Sequence, residues 1–322
     1  MAKYYFVVNP MSGSGQGSEV YKKAEAYLKG HNVQYETVFS ERAGHVAELV
    51  SKITAEHKNE IINLIILGGD GTLDEALQGV YDFSRVNIGY IPTGSGNDFA
   101  RALVFSPDPT VTLKRILSVT EPKIFDLGKL EYLNTTSDRT KLGKGEIKAE
   151  RLFDVSCGIG FEAAICERAL ESKSKDFLNK IKLGKLIYVL ISLKLMFGGQ
   201  RPSAKLKLDD GREIPLKKLR FVVGMNTCYE GGGYKFCPDA LPDDGYLDVC
   251  TVSDMPSLEA LMVIPKASKG THVNNKHVNT YHVKSYEVIS DEPLWVHTDG
   301  EVYTKSSHIR VSVMPGILRF LM

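Results

Sequence analysis

The sequence predicts two domains of different class, a Rossmann-like parallel α/β domain over residues 1–122 and a β-sandwich with helical insertions over residues 123–314. Three observations carry this. In the first third, short apolar runs alternate with helix-period segments, the pattern of right-handed βαβ units and a parallel sheet. After Pro107-Asp108-Pro109 that alternation stops, and strand-length runs follow one another. Between them, the buried-strand run Ile61–Leu67 ends in Gly68-Gly69-Asp70-Gly71-Thr72, which leaves bare backbone amides at a strand's carboxyl end, where parallel sheets bind their ligands.

The elements read in order as follows. Strands are expected at Tyr4–Val8, Val33–Phe39, Ile61–Leu67 and Asn87–Ile91, with helices at Glu19–Leu28, Gly44–Thr54, Leu73–Val80 and Asp98–Leu103 between and after them. A short helix, Val111–Ser118, closes the first domain. Strands then follow at Ile124–Tyr132, Leu152–Gly158, Ala204–Leu208, Phe221–Met225, Tyr246–Val252, Tyr281–Ile289, Leu294–His297 and Ile309–Val313, with a hairpin signal at Asp209-Asp210-Gly211. Helical insertions are expected at Phe161–Leu170, Phe177–Phe197 and Ser257–Ala267, and a polar, mobile loop at Asn134–Lys148. The last segment, 315–322, is apolar enough to return to the first domain.

Bulk properties exclude several classes. A net charge of +1 supplies no overall field for nucleic acid. Five cysteines at 157, 166, 228, 237 and 250 form no C-x-x-C pair, which argues against structural zinc and against a disulfide framework, and fits a reducing compartment. No secretory pattern opens the chain, and the apolar run 186–197, interrupted by Lys194, is far short of the roughly 20 residues a bilayer span requires. A cytoplasmic protein that visits the inner face of the membrane is the expectation.

Four loops follow the four first-domain strands and should share one sheet edge. Asn9-Pro10-Met11-Ser12-Gly13-Ser14-Gly15-Gln16-Gly17 can wrap a phosphate or ribose edge or serve as a flexible turn before a helix. Ser40 can cap the next helix or turn its hydroxyl to a nucleotide. In the third loop Asp70 would repel a phosphate unless a cation came with it, so Gly69-Asp70-Gly71-Thr72 points to nucleotide plus Mg²⁺. Asp74 and Glu75 suit the first turn of a helix by complementing its dipole. In the fourth loop Ser95 lies between glycines, Asn97 is a natural N-cap, and Asp98 can join a water-linked metal network with Asp70.

These motifs, in this order, resemble the diacylglycerol kinase catalytic-domain family, most closely its soluble bacterial lipid kinases. The likeness extends over nearly the whole chain. It rests on Asn9-Pro10 with Ser12-Gly13, on Gly68 to Glu75, on Pro92-Thr93-Gly94-Ser95-Gly96-Asn97-Asp98-Phe99-Ala100, on Gly231-Gly232-Gly233, on Pro238 to Gly245 and on Val296-His297-Thr298-Asp299-Gly300-Glu301. The Gly-Gly-Asp-Gly core alone is shared with NAD kinases and phosphofructokinases. The resemblance implies a nucleotide domain and a β-sandwich with the active site in the cleft between them. It implies that ATP is held by Asn9, Pro10, Met11, Ser12, Gly13, Ser40, Gly69, Asp70, Gly71, Thr72, Leu73, Asp74, Glu75 and Ser95, and that Asp299 is the general base. Ser95 stands where the family often has Thr. The resemblance also implies a structural Mg²⁺ held by Asp244 and the carbonyls of Leu241 and Tyr246. Without it, Asp299-Gly300 would read as a common turn and Asp243-Asp244 as an acidic one.

The expected function is ATP-dependent phosphorylation of a membrane-lipid hydroxyl, with diacylglycerol to phosphatidic acid foremost. Sphingoid bases, phosphatidylglycerol and undecaprenol-like alcohols are other acceptors; NAD is a soluble one, and a catalytically silent lipid-binding regulator is the rival of another class. Peripheral membrane contact and a homodimer are open partnerships. The basic, amphipathic segment 173–201 is either a membrane-lying helix or an ordinary surface helix. His272, His277 and His282 recur on no common face and are expected to be packed or solvated, not metal-bound.

Overall fold

A computed structural model of the chain describes residues 3–135, 149–171 and 184–322. Residues 136–148 of the predicted loop 134–148, residues 177–183 of the predicted helix 177–197, and Lys173, Lys175, Lys180 and Lys182 lie outside the described residues. The chain divides into two compact units, one of residues 1–127, 242–245 and 314–322, the other of residues 128–241 and 246–313.

In the first unit, β1 (Lys3–Val8), β2 (Gln34–Phe39), β3 (Ile62–Gly68) and β4 (Val86–Pro92) form a parallel sheet in the order β4-β3-β1-β2. The end of β14 (Glu301–Phe320) joins β4 in parallel, with Arg319 opposite Asn87. Helices α1 (Ser12–Gly30), α2 (His45–Glu56), α3 (Asp70–Gly79), α4 (Asp98–Ala102) and α5 (Pro109–Ser118) connect or flank the strands. The central strands are near-continuously apolar because both sheet faces are covered. Phe6, Val8, Ile65, Leu67 and Ile91 pack on Tyr21, Ala24 and Leu28 of α1 and on Leu113 and Ile116 of α5. Phe320 meets Phe99 and Phe125 edge to face. The start of α5 is fixed by Asp108, whose side chain accepts the amide of Thr110 at 2.8 Å, with Pro109 in the first turn.

The second unit is antiparallel. β7 (Ser156–Gly160), β10 (Leu219–Met225), β11 (Leu247–Ser253), β12 (Val278–Val283), β13 (Ser285–Thr298) and β14 run in the order β12-β11-β10-β7-β13-β14. The hairpin of β8 (Ala204–Leu208) and β9 (Glu213–Leu216) adds to β13, and β5 (Lys123–Thr135) pairs β6 (Glu150–Phe153). Helices α6 (Phe161–Glu171), α7 (Gly184–Gly198) and α8 (Ser257–Ala267) accompany the sheet. Val223, Met225, Cys250 and Val252 turn to one side and pack with Met196, Ala260 and Val263 of the helices. Cys157, Ile159, Val222, Val249 and Val296 build the other core.

Two predicted strands are each broken in two. Leu152–Gly158 divides at Asp154-Val155, because the amides there turn to a side chain, described below. Tyr281–Ile289 divides at Lys284, whose amide donates to Asp209 at 2.7 Å instead of continuing the ladder.

Candidate active site

Because four neighbouring strands run parallel, the loops after them emerge at one edge of the first unit's sheet. Side chains stitch these loops together. The Asn9 amide donates to the Thr72 hydroxyl at 3.1 Å, joining the first loop to the third. The Ser12 and Thr93 hydroxyls lie 2.6 Å apart, joining the first to the fourth. Asp70 binds the third loop to the fourth, accepting the backbone N–H of Asn97 at 2.6 Å and of Asp98 at 2.9 Å. Glu75 secures the second loop, accepting the amides of Gly44 at 2.8 Å and Val46 at 3.3 Å.

This stitching corrects one expectation and adds detail to two others. Ser40 does not cap α2. Gly44, in left-handed backbone, is the N-cap residue, and the orphan amides there go to Glu75. Asn97 is the N-cap residue of α4, but in left-handed backbone (φ 50°) and without a side-chain capping bond; its amide group donates instead to the Gly94 carbonyl at 2.8 Å. The Asp70–Asp98 relationship includes a direct bond from the Asp98 backbone N–H.

The remaining nucleotide candidates are distributed unevenly. Pro10, Gly69, Asp70, Gly71 and Glu75 are half-buried, and Met11 and Ser95 are exposed. The side chains of Leu73 and Asp74 are buried in the first unit, and the amides of Thr72 and Leu73 turn back to the Gly69 carbonyl at 2.9 and 3.1 Å. Gly13, Ser14 and Gly15 form a left-handed run (φ 58°, 60° and 95°), so α1 is regular only beyond it. Gly13 is required twice over, since a Cβ there would overlap the Thr93 carbonyl.

In the second unit, Asp299 and Gly300 are the two turn residues between paired Thr298 and Glu301, with φ of 51° and 80°. Two positive-φ residues in a two-residue hairpin belong to a type I′ turn, for which Asp-Gly is a preferred sequence. The turn reading of this dipeptide therefore holds, and the carboxylate has a further engagement. It accepts the backbone N–H groups of Asp154 at 3.1 Å, Val155 at 3.0 Å and Ser156 at 2.9 Å, which is why the predicted strand breaks there. Burial raises the Asp299 carboxyl above its ordinary range, opposed by hydrogen bonds from Asp154 and the three amides.

The Pro242–Gly245 turn belongs to the first unit and is organised by Asp126, a residue that sequence reasoning missed. The Asp126 amide donates to the Pro242 carbonyl, and its carboxylate accepts the amides of Gly245 and Gly316, all at 2.7 Å. Asp126 lies mid-strand in an apolar run, and that incongruity was the available signal. Asp244 is half-buried on this turn, with Leu241 and Tyr246 flanking it.

The three spaced histidines occupy separate places. His272 is buried edge-on to Phe236, His277 faces Glu259 at 3.5 Å, and His282 stacks on Tyr246. All five cysteines are free. No described helix is long and apolar enough to cross a membrane.

Residues 3–130 match the diacylglycerol kinase catalytic domain, and residues 158–322 match the YegS C-terminal NAD kinase beta sandwich-like domain. The chain is 25% identical to a Bacillus subtilis protein named "Putative lipid kinase YtlR", over 99% of both chains. It is 28% identical to a diacylglycerol kinase of Staphylococcus carnosus, over 92% of this chain and 87% of that one. Among solved structures, "A putative diacylglycerol kinase from Bacillus anthracis str. Sterne" shares the fold, with a TM-score of 0.72 at 21% identity over 99% of this chain and 96% of that one. A phosphotransferase of the lipid kinase class is what this two-domain arrangement defines. The chain belongs to the diacylglycerol kinase catalytic-domain family.

Proposed function

We propose that the protein is an ATP-dependent lipid kinase that transfers the γ-phosphoryl group to the hydroxyl of a membrane lipid, diacylglycerol foremost, giving phosphatidic acid. The observation that carries this reading is Asp299. A lipid alcohol must lose its proton as its oxygen bonds to phosphorus, and a carboxylate of raised pKa, fixed by three amides at a strand end, is suited to accept it. ATP would lie on the stitched loops of the first unit. There Gly13 and Gly69 permit close backbone approach, and Thr72 and Ser95 supply hydroxyls. Asp70 and Asp98 offer carboxylate oxygens of the kind Mg²⁺ takes, and the ion would supply positive charge to offset the repulsion between Asp70 and the phosphates. Asp244, with the carbonyls of Leu241 and Tyr246, would hold a structural Mg²⁺. The names of the relatives support diacylglycerol over the other acceptors.

The approach to a bilayer would use a ridge on the second unit. Leu258, Leu261 and Met262 of α8 occupy one helical face with Leu258 67% and Met262 61% exposed, and Phe197 at the end of α7 is 65% exposed. The exposed cations Lys194, Lys266 and Lys269 complement an anionic leaflet. Buried Arg220 holds these helix ends together. Its guanidinium donates to the Met255 carbonyl at 3.0 and 3.1 Å and to the Ser257 hydroxyl, which in turn donates to the Met196 carbonyl at 2.8 Å. An apolar cavity of about 50 Å³ beneath α8 is too small to admit a lipid acceptor as it stands, since ligand pockets run to roughly 300–1,000 Å³.

The deciding experiment incubates the purified protein with Mg²⁺, labelled ATP and a total lipid extract, with NAD in a parallel reaction. Labelled phosphatidic acid is the expected product. Label in NADP, or Mg²⁺-dependent transfer to no lipid at all, would overturn the reading.

A further inference from the structure

Directly behind the Asp299-Gly300 turn lie three buried groups that nothing above uses. His297 is wholly buried, with Nε2 3.3 Å from Oε1 of Glu230 and 3.6 Å from Oε1 of Glu162. Both glutamates are themselves more than nine-tenths buried. The space for them is made by Gly158, which stands opposite His297 in the β7–β13 ladder. A Cβ at that position would collide with the Glu162 carboxylate and the His297 ring. The other ring nitrogen, Nδ1, accepts the backbone N–H of Gly300 at 3.2 Å.

That last bond decides what the cluster holds. A neutral imidazole has one donor and one acceptor nitrogen, so an Nδ1 that accepts puts the proton on Nε2, facing the two carboxyl groups. A metal ion on Nε2 would need the proton moved to Nδ1, where the Gly300 N–H already points. Two carboxylates and a histidine resemble a metal donor set, but the tautomer favours a proton. Burial also holds the Glu162 carboxyl well above its ordinary range, which removes one of the two negative charges that a neutral histidine could not balance. Glu162 acts electrostatically on Cys157 of β7, Cys250 of β11, Cys237 of the 226–240 segment and Tyr286 of β13, and Glu230 acts on the same three cysteines; Asp299 and Arg151 also act on Cys157.

We propose that His297 is a positioning residue: by accepting the Gly300 N–H it holds the Asp299-Gly300 turn in register, and the carboxyl oxygens of Glu162 and Glu230 facing Nε2 favour the proton there, in the tautomer that makes this bond. The turn has two consecutive positive-φ residues, a backbone that Asp-Gly adopts readily, and the bond from Gly300 to His297 ties it to the strand that precedes it. The three amides on the Asp299 carboxylate hold the turn from one side, and His297 holds it from the other. This inference rests on the reading of Asp299 as general base.

Two substitutions separate the roles of the ring's two nitrogens. An asparagine at this position offers an oxygen near the place of Nδ1, keeping the acceptor for Gly300. A glutamine reaches the place of Nε2 with a donor for the carboxyl groups and leaves Gly300 without its partner. His297→Asn should retain kcat within about threefold, while His297→Gln should lose about tenfold or more in kcat with KM for ATP unchanged. Circular dichroism should show both variants folded. Long-range ¹H–¹⁵N correlation on the histidine-labelled wild-type protein should show His297 with unprotonated Nδ1 and protonated Nε2. Equal activity of the two variants, a protonated Nδ1, or one equivalent of metal retained by the wild type and lost in Glu162→Gln would each overturn the proposal. A wild type with the expected tautomer that transfers phosphate to no acceptor would instead fail the kinase reading and leave the tautomer assignment standing.

Discussion

The Asp70 carboxylate lies 2.6 Å from the backbone nitrogen of Asn97 and accepts its hydrogen bond; its other oxygen takes the next amide, that of Asp98, at 2.9 Å. One acidic side chain thus sets the shape of the loop that presents Ser95, and Asn97 is left-handed at that point. Asp70→Asn would turn a donor toward one of these amides while conserving size. Bonds to a charged acceptor contribute about 1.5–3 kcal/mol, so a loss of that order in unfolding free energy is expected, with at least tenfold weaker ATP binding. Denaturant unfolding and nucleotide titration check it. A variant with wild-type stability and affinity would show that the clamp is dispensable.

For Asp299 the prediction separates chemistry from binding. Asp299→Ala should reduce kcat by about 10²–10⁴, the usual range for removing a general base, and should leave the ATP dissociation constant within about twofold. The amides of Asp154, Val155 and Ser156 would lose their acceptor, so some loss of thermal stability should accompany it. Single-turnover transfer rates and ATP titrations test the two parts separately. Near-wild-type transfer to the identified lipid would remove Asp299 from the base role.

The two-unit architecture was legible because its signals are local. Apolar runs ending in glycine mark the parallel strands, and Asp209-Asp210-Gly211 marks the β8–β9 hairpin, where Gly211 has a φ of 85°. The stitching was not legible, because its partners are distant along the chain. Glu75 reaches Gly44 across 31 residues, and Asp299 reaches the Asp154 amide across 145. Those long-range bonds override local expectation at Ser40 and within the predicted strand Leu152–Gly158. His297 gave no warning either, since a histidine one residue from the end of an apolar strand is ordinary until Gly158, Glu162 and Glu230 are seen to surround it.

Glu162 makes a prediction about pH. Its carboxyl has a pKa raised well above the ordinary value by burial. Between the unfolded value and that raised one, the native state binds more protons than the unfolded state, so stability falls as pH rises through this window. Glu162→Gln is a permanently neutral substitute for the protonated form. The wild type should therefore lose thermal stability from about pH 5 upward more steeply than Glu162→Gln, and the difference should grow toward alkaline pH. Melting temperatures at several pH values for both proteins test this, and parallel curves would show that Glu162 is ionised in the fold.

The α8 ridge can be tested without disturbing the core, because Leu261 and Met262 are exposed. The double substitution Leu261→Glu, Met262→Glu removes two apolar side chains that would enter the interface and adds two charges repelled by anionic lipid. Each side chain contributes about 1–2 kcal/mol when it leaves water, so vesicle affinity should fall by about tenfold or more. Transfer to a short-chain, monomeric acceptor should stay within about twofold of wild type, since no bilayer need be approached. Cosedimentation with anionic vesicles and paired assays on vesicular and monomeric acceptor distinguish the cases. Equal losses on both acceptors would place the ridge in the fold's own stability, and unchanged vesicle binding would place the membrane contact elsewhere on the protein.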